Sequence, residues 1–347
     1  MQPENSSFHQ PLPEPERTYK AFPTTMWGRL FRRVVGDILE WSFRGLSGMG
    51  RLSPAAWPSR YGLEVLRDIP YGPTQESHHR LDVYRPKQRD TLLPAVLYIH
   101  GGGFRILSKE THWMMGINFS RENYVTFNIN YRLAPKHPYP AAAQDCVDAL
   151  LWVMKHAEEY GADPNRIILA GESAGGNLVT MLTVASHYNN IGEPWAQKLF
   201  DAAPSIQAVL PGCGLLQVSR PDRFFLRRSI PYIVRDRVVV VCVGYLPEHF
   251  NRPGEAPLAD PLLILEGDQQ PDRPLPPFFT FAGDKDVIMD DTLRLQSALL
   301  HLDTECETRI YPKQGHAFHA NIFSKVARQC WQHQHDFLRR HLTQPES

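Results

Sequence analysis

The sequence has no excess of charge of either sign: its 347 residues carry 37 Lys and Arg against 37 Asp and Glu. That balance leaves no electrostatic footprint for nucleic acid or another polyanion. Cysteine is sparse. The five, Cys146, Cys213, Cys242, Cys306 and Cys330, are odd in number, scattered and free of any C-x-x-C pair, which argues against a disulfide framework or a zinc site and for a reducing compartment. No stretch reaches about 18 uninterrupted apolar residues, and the polar, Pro-rich N-terminus MQPENSSFHQPLPEPE has no apolar core of a secretory signal. The expectation is a soluble, cytoplasmic protein. Nucleotide signatures are missing as well: there is no G-x-x-x-x-G-K-[ST] and no G-x-G-x-x-G. Repeats and heptads are absent too.

What is present is ordinary globular composition, 42% hydrophobic and 21% charged, in a chain long enough for a sizeable core. The reading divides it into a disordered N-terminus over 1–20, a helical segment over 21–70 and a catalytic domain over 71–347. Within 24–45, Trp27, Leu30, Phe31, Val34, Val35, Ile38 and Trp41 recur at helical spacing opposite Arg29, Arg33, Asp37 and Glu40. This predicts an amphipathic helix packed on the rest of the protein, with contact to a lipid surface as the alternative.

From about residue 79, strand and helix patterns alternate: RLDVYRP, PAVLYIH, YVTFNINY, a helix through AAAQDCVDALLWVMKHAEEY, RIILAG, a helix from Ala174, then IQAVLPGCGLL. The rhythm resumes with PFFTFAG, a helix over DDTLRLQSALLHL, CETRIYP and a last helix over about 321–341. Alternation of this kind predicts a parallel sheet with helices on both faces. The interruption, about 217–270, holds Arg-rich and Pro-rich segments around the apolar run RVVVVCVGYL. It is expected to form a cap with the N-terminal segment.

Gly171-Glu172-Ser173-Ala174-Gly175 lies between an apolar strand and a helix. In that context G-x-S-x-G makes a sharp turn that lifts a serine hydroxyl clear of the sheet, with the following helix N-terminus favouring an oxyanion there. Ser173 is the candidate nucleophile and the Ala174 amide an oxyanion donor. Upstream, His100-Gly101-Gly102-Gly103-Phe104 follows another apolar strand. Consecutive glycines let amides face a ligand, so Gly102 and Gly103 are further donors, and His100 is expected to brace the loop by hydrogen bonding.

A serine needs a histidine base, and the histidine a carboxylate. FFTFAGDKDVIMDD offers Asp284, Asp286 and Asp290; the spacing after the glycine favours Asp286, with Asp284 next and Asp290 read as a cap of the following helix, helped by Asp291. In RIYPKQGHAFHA, His316 follows its strand directly and is preferred over His319. The order Ser, Asp, His suits this architecture.

Taken together, HGGGF, NYRLAPKHPYPAAAQD, GESAGGNL, FAGDKDVIMDD and GHAF resemble the hormone-sensitive-lipase-like family of α/β-hydrolases over about 79–343. The resemblance implies an eight-stranded, mostly parallel sheet, a cap from the N-terminal region and the segment after the sixth strand, and no cofactor. It also implies Ser173, Asp286 and His316 as triad and Gly102, Gly103 and Ala174 as oxyanion hole. Lys136, where glutamate is usual, and one extra residue in the acid segment depart from the family pattern. The function expected is hydrolysis of short- to medium-chain acyl esters of small molecules. An amidase or deacetylase on a dedicated substrate and a non-catalytic small-molecule receptor are the alternatives.

Overall fold

The computed structural model describes residues 45, 47–226, 230–321 and 323–342. The helix expected within 24–45 therefore lies outside the described residues, apart from Gly45. Eight strands form one sheet: β1 Leu63–Pro70, β2 Arg80–Pro86, β3 Leu93–Ile99, β4 Val125–Ile129, β5 Ala162–Glu172, β6 Ile206–Gly212, β7 Phe278–Gly283 and β8 Cys306–Tyr311. Their order is β1-β2-β4-β3-β5-β6-β7-β8. β2 runs antiparallel to both neighbours, and every pairing from β4 onward is parallel.

The central strands are apolar on both faces because both are covered. Along β3, Ala95, Leu97 and Ile99 enter one core while Val96 and Tyr98 enter the other; β5 splits likewise into Ile167 and Leu169 against Ile168 and Ala170. The period-two alternation thus sorts the strands between two cores. In chain order the helices are α1 Trp113–Ser120, α2 Ala141–His156, α3 Ala174–His187, α4 Gln197–Ala202, α5 Arg223–Leu226, α6 Tyr232–Tyr245, α7 Pro261–Leu265, α8 Met289–His301 and α9 Lys325–Leu342. Residues of α2, α3 and α8 pack into the first core. Met115 and Phe119 of α1 and Trp331, Phe337 and Leu338 of α9 pack into the second. Among the described residues, no helix is long and apolar enough to cross a membrane.

Two expectations are corrected, and one segment whose state the sequence left open is assigned. The sheet begins at Leu63, inside the stretch assigned to the N-terminal helical segment; β1 carries a register shift between Leu66 and Ile69, with Asp68 at φ 57, and this bulge breaks the alternation that would have marked a strand. RVVVVCVGYL lies in α6, a helix, although β-branched residues favour strands; tertiary packing overrides that preference. Asp290 and Asp291 sit in the first turn of α8 and do not cap it, because Ile288 is the N-cap.

Asp291 has a different task. Its carboxylate accepts the Leu216 and Gln217 amides at 2.8 and 3.2 Å and is ion-paired with Arg223, whose Nη2 and Nε donate to Oδ1 at 2.8 and 3.2 Å. Both side chains are buried, at 0% and 4% exposure. The pair ties the chain leaving β6 to α8. Removing one partner strands a buried charge, so Asp291→Ala is expected to lower unfolding free energy by about 3–5 kcal/mol. Urea denaturation of the two proteins measures it, and an unchanged midpoint would contradict the assignment.

Candidate active site

β5 ends in Glu172 and α3 starts at Ala174, which leaves Ser173 alone to reverse the chain at φ 56, ψ −117. For a residue with a Cβ this backbone is strained. Three hydrogen bonds hold it: the Ser173 amide donates to Gly212 O at 2.9 Å, and its carbonyl accepts Asn177 N at 3.1 Å and Leu215 N at 3.2 Å. The turn is possible because β3 runs against it without side chains between. A Cβ on Gly175 would meet Ile99 O at 2.0 Å, so only glycine fits there.

Strand ends bring the two partners to this serine. Asp286 lies in the turn after β7 and His316 in the turn after β8. His316 Nε2 is 2.9 Å from Ser173 Oγ, and its Nδ1 is 2.8 Å from Asp286 Oδ2. The other Asp286 oxygen accepts the Ile288 amide at 3.0 Å, which fixes the carboxylate plane. Asp286 is 1% exposed, whereas the His316 side chain is 42% exposed at the rim. Enclosure alone would lower the His316 pKa; the charge and hydrogen bond of Asp286, with Glu172 further off, outweigh it and leave the imidazole raised above its ordinary value.

The competitors fall elsewhere. Asp284 is 36% exposed beside Lys285. His319 is buried among Phe281, Phe318 and Trp331. Burial, the largest cause, pushes its pKa down to about 4, so it stays neutral. Phe104, at the end of the glycine run, is fully buried and stacks on Tyr245 with centroids 3.8 Å apart. Trp27 and Trp41 lie outside the described residues. Lys136 is exposed on the surface.

The glycine loop closes the opposite wall. Gly102 adopts φ +100, and its carbonyl accepts the amides of Arg105 and Ile106, both at 3.1 Å. That tight turn places Gly102 and Gly103 along one cavity with Ser173, Asp286 and His316. Ala174, as the first residue of α3, has an amide without an intrahelical acceptor. His100 Nδ1–H donates to Gly101 O at 2.7 Å, while the His100 carbonyl accepts Tyr131 OH at 2.8 Å. The ring also stacks on Tyr131, centroids 4.3 Å apart. Burial first, and then neighbouring His112, push the His100 pKa down to about 3, so it braces the loop as a neutral ring.

Sequence reasoning passed over Glu172, the x before the serine. It is 4% exposed, yet its carboxylate accepts the Gly101 amide at 2.7 Å and the Tyr98 hydroxyl, and pairs with His112 Nε2 at 2.7 Å. Burial would raise its pKa; the His112 charge and hydrogen bond overcome that and hold it down to about 2. His112 is correspondingly raised, against its own burial. Glu172 and His112 form a buried ion pair under the glycine loop. No local pattern marks it, because the partners lie on different strand-helix units.

The cavity holds about 750 Å³, within the range of small-molecule sites. α6 contributes Val234, Val238 and Val241 at helical spacing, α1 contributes Trp113, Met114 and Met115, and the far wall carries Ile288 and Phe318. Ser53 and Ala56, from the turns before β1, complete the lining. The walls are mostly apolar, with Ser173, Asp286 and His316 at one end and Ser47, Thr111, Arg237 and Asn321 as further polar lining.

A sequence family described as alpha/beta hydrolase fold matches residues 96–320, more than half of the chain. The chain is 29% identical over 264 residues to carboxylesterase NlhH of Mycobacterium tuberculosis, covering 74% of this chain and 73% of that protein. Over 106 residues it is 41% identical to hormone-sensitive lipase of Mus musculus, covering 30% of this chain and 14% of the relative. Among solved structures, esterase LipW from Mycobacterium marinum superposes with a TM-score of 0.71 at 23% identity, covering 89% of this chain and 90% of that one. A bacterial heroin esterase does so with a TM-score of 0.72 at 22% identity, covering 88% and 91%. At such identities the structural likeness speaks for the fold alone. With the family match, the eight-stranded sheet and the motifs in their order, the chain belongs to the hormone-sensitive-lipase-like α/β-hydrolases.

Proposed function

We propose that the protein is a serine carboxylic-ester hydrolase acting on small-molecule acyl esters of short to medium chain length. The observation that carries this reading is the unbroken hydrogen-bond line from Ser173 Oγ through His316 to Asp286, opening on an apolar cavity. Ser173 attacks the ester carbonyl while His316 Nε2 takes its proton. Asp286 holds the imidazole with Nε2 toward the serine and stabilises the imidazolium. The Gly102, Gly103 and Ala174 amides receive the tetrahedral oxyanion, where preorganised donors contribute most. His316 then protonates the leaving alcohol, and water, activated by the same base, releases the acyl group. The curated relatives named carboxylesterase and ethyl acetate hydrolase support the same chemistry.

The residues around 47–56 and the 217–270 insertion, with α6 at its centre, serve in this reading as a cap that encloses the acyl or alcohol group. The five free cysteines support a reducing, cytoplasmic setting.

Glu172 is a positioning residue here: it holds the Gly101 amide and thereby the donor loop. Glu172→Gln keeps an oxygen for that amide but removes the charge facing His112. Its kcat is expected to fall about ten-fold or more with KM little changed, because the loop acts on the oxyanion more than on the bound ester. Steady-state kinetics on a soluble ester test this, and an unchanged kcat would remove Glu172 from the machinery.

The central test is initial rates on p-nitrophenyl esters from short to long acyl chains, for wild type and Ser173→Ala in parallel. The wild type is expected to peak at short or medium chains, and Ser173→Ala to lose at least about a thousand-fold in turnover. Retention of rate by Ser173→Ala would sink the mechanism.

A further inference from the structure

One thiol that acyl transfer does not use lies beside the site. Cys213 follows β6, is 1% exposed, and sits in a small cluster with Ala282 and Met289. Its backbone has φ 37, and its amide donates to Phe281 O at 2.7 Å, which pins the residue beside the end of β7. One ligand atom each from Cys213, Asp286 and His316 lies within 4.8 Å of the others. Sulfur, imidazole nitrogen and carboxylate oxygen are the donor types that zinc takes in proteins. In the sequence these donors are too far apart for any spacing motif to reveal them.

We propose that Cys213, Asp286 and His316 form an inhibitory site for a thiophilic divalent cation, Zn²⁺ being the natural candidate. Tetrahedral coordination with Zn–S of about 2.3 Å and Zn–N of about 2.0 Å draws such donors to roughly 3.5 Å apart. The proposed site calls for side-chain rotation to close that gap. The cavity lined by Asp286 and His316 supplies the entry path to those two donors. On binding, the Cys213 S–H bond breaks, an S–Zn bond forms and the proton leaves to solvent; no electron changes hands. The neutral imidazole and the carboxylate add as lone-pair donors, and water or the Ser173 hydroxyl fills the fourth position.

The consequence for catalysis rests on the proposed hydrolase reading. Of the two ring nitrogens, Nδ1 is the one held by Asp286 and Nε2 the one facing Ser173. Coordination through either atom removes the base. The cation therefore acts as a reversible block that competes with the triad itself.

Two measurements test this. Inhibition of p-nitrophenyl ester hydrolysis by ZnCl₂, reversed by EDTA, is compared in wild type, Cys213→Ser and Cys213→Ala, each normalised to its own rate. At least about a ten-fold higher half-inhibiting concentration is expected in both variants. Separately, CdCl₂ is titrated into the Ser173→Ala protein while the ultraviolet sulfur-to-cadmium charge-transfer band is followed. The band is expected there and lost in Ser173→Ala/Cys213→Ser. Equal inhibition of wild type and both variants, or a band that survives the loss of Cys213, overturns the site. Because the band needs no turnover, a Cys213-dependent band in a protein that hydrolyses no ester would uphold the site and sink the hydrolase reading. Measured hydrolysis with no such band would do the reverse.

Discussion

The structure turns on one strained residue. Ser173 holds φ 56, ψ −117 between a strand and a helix, a conformation that an isolated chain would leave at once. It persists because the surroundings over-determine it. The end of β6 takes its amide and returns Leu215 to its carbonyl, and Asn177, one turn into α3, donates from its side chain to Leu215 O at 2.8 Å and Ala259 O at 3.0 Å. The same loop that restrains Ser173 thus leads into the insertion. Strain at the serine, the exit from β6 and the return to α7 are a single constraint.

Beneath this turn lies a polar layer that a purely apolar core would not provide. Glu172, His112, His100, Tyr98 and Tyr131 are all buried, and their hydrogen bonds converge on Gly101 and the backbone around it. A buried ion pair is weak evidence for stability, since desolvation offsets much of the attraction. Its value here is geometric. Charge at Glu172 fixes where the Gly101 amide points, and so where the next two amides face.

The parts of the fold and site legible in the sequence were those written locally. β3, β5 and β7 are apolar runs ended by glycine motifs, and each motif carries its own turn geometry, so Ser173, Gly102, Gly103, Asp286 and His316 stand out without any knowledge of neighbours. β1 was not legible, because it is an edge strand broken by a bulge whose Asp68 amide turns to Asp82 Oδ1 at 3.0 Å. The helical state of RVVVVCV was not legible either, since residue preference and tertiary packing point in opposite directions there. Glu172 and Asp291 look like surface acids in the sequence. Their partners, His112 and Arg223, are set by topology, and no window of local sequence contains both members of either pair.

The second of those pairs links the acid of the site to the insertion. Asp286 braces the start of α8 through the Ile288 amide, and one turn later Asp291 holds Leu216, Gln217 and Arg223. Arg294, a further turn along, joins Glu266 next to α7 at 2.6 Å. One helix is therefore braced by Asp286 at its tip and carries the anchors of the insertion along its side. The insertion in turn supplies the valines of α6 that wall the cavity. The anchors of that wall and the brace from Asp286 thus sit on one helix, so the wall of the cavity and the residue that holds His316 Nδ1 are fixed by the same element.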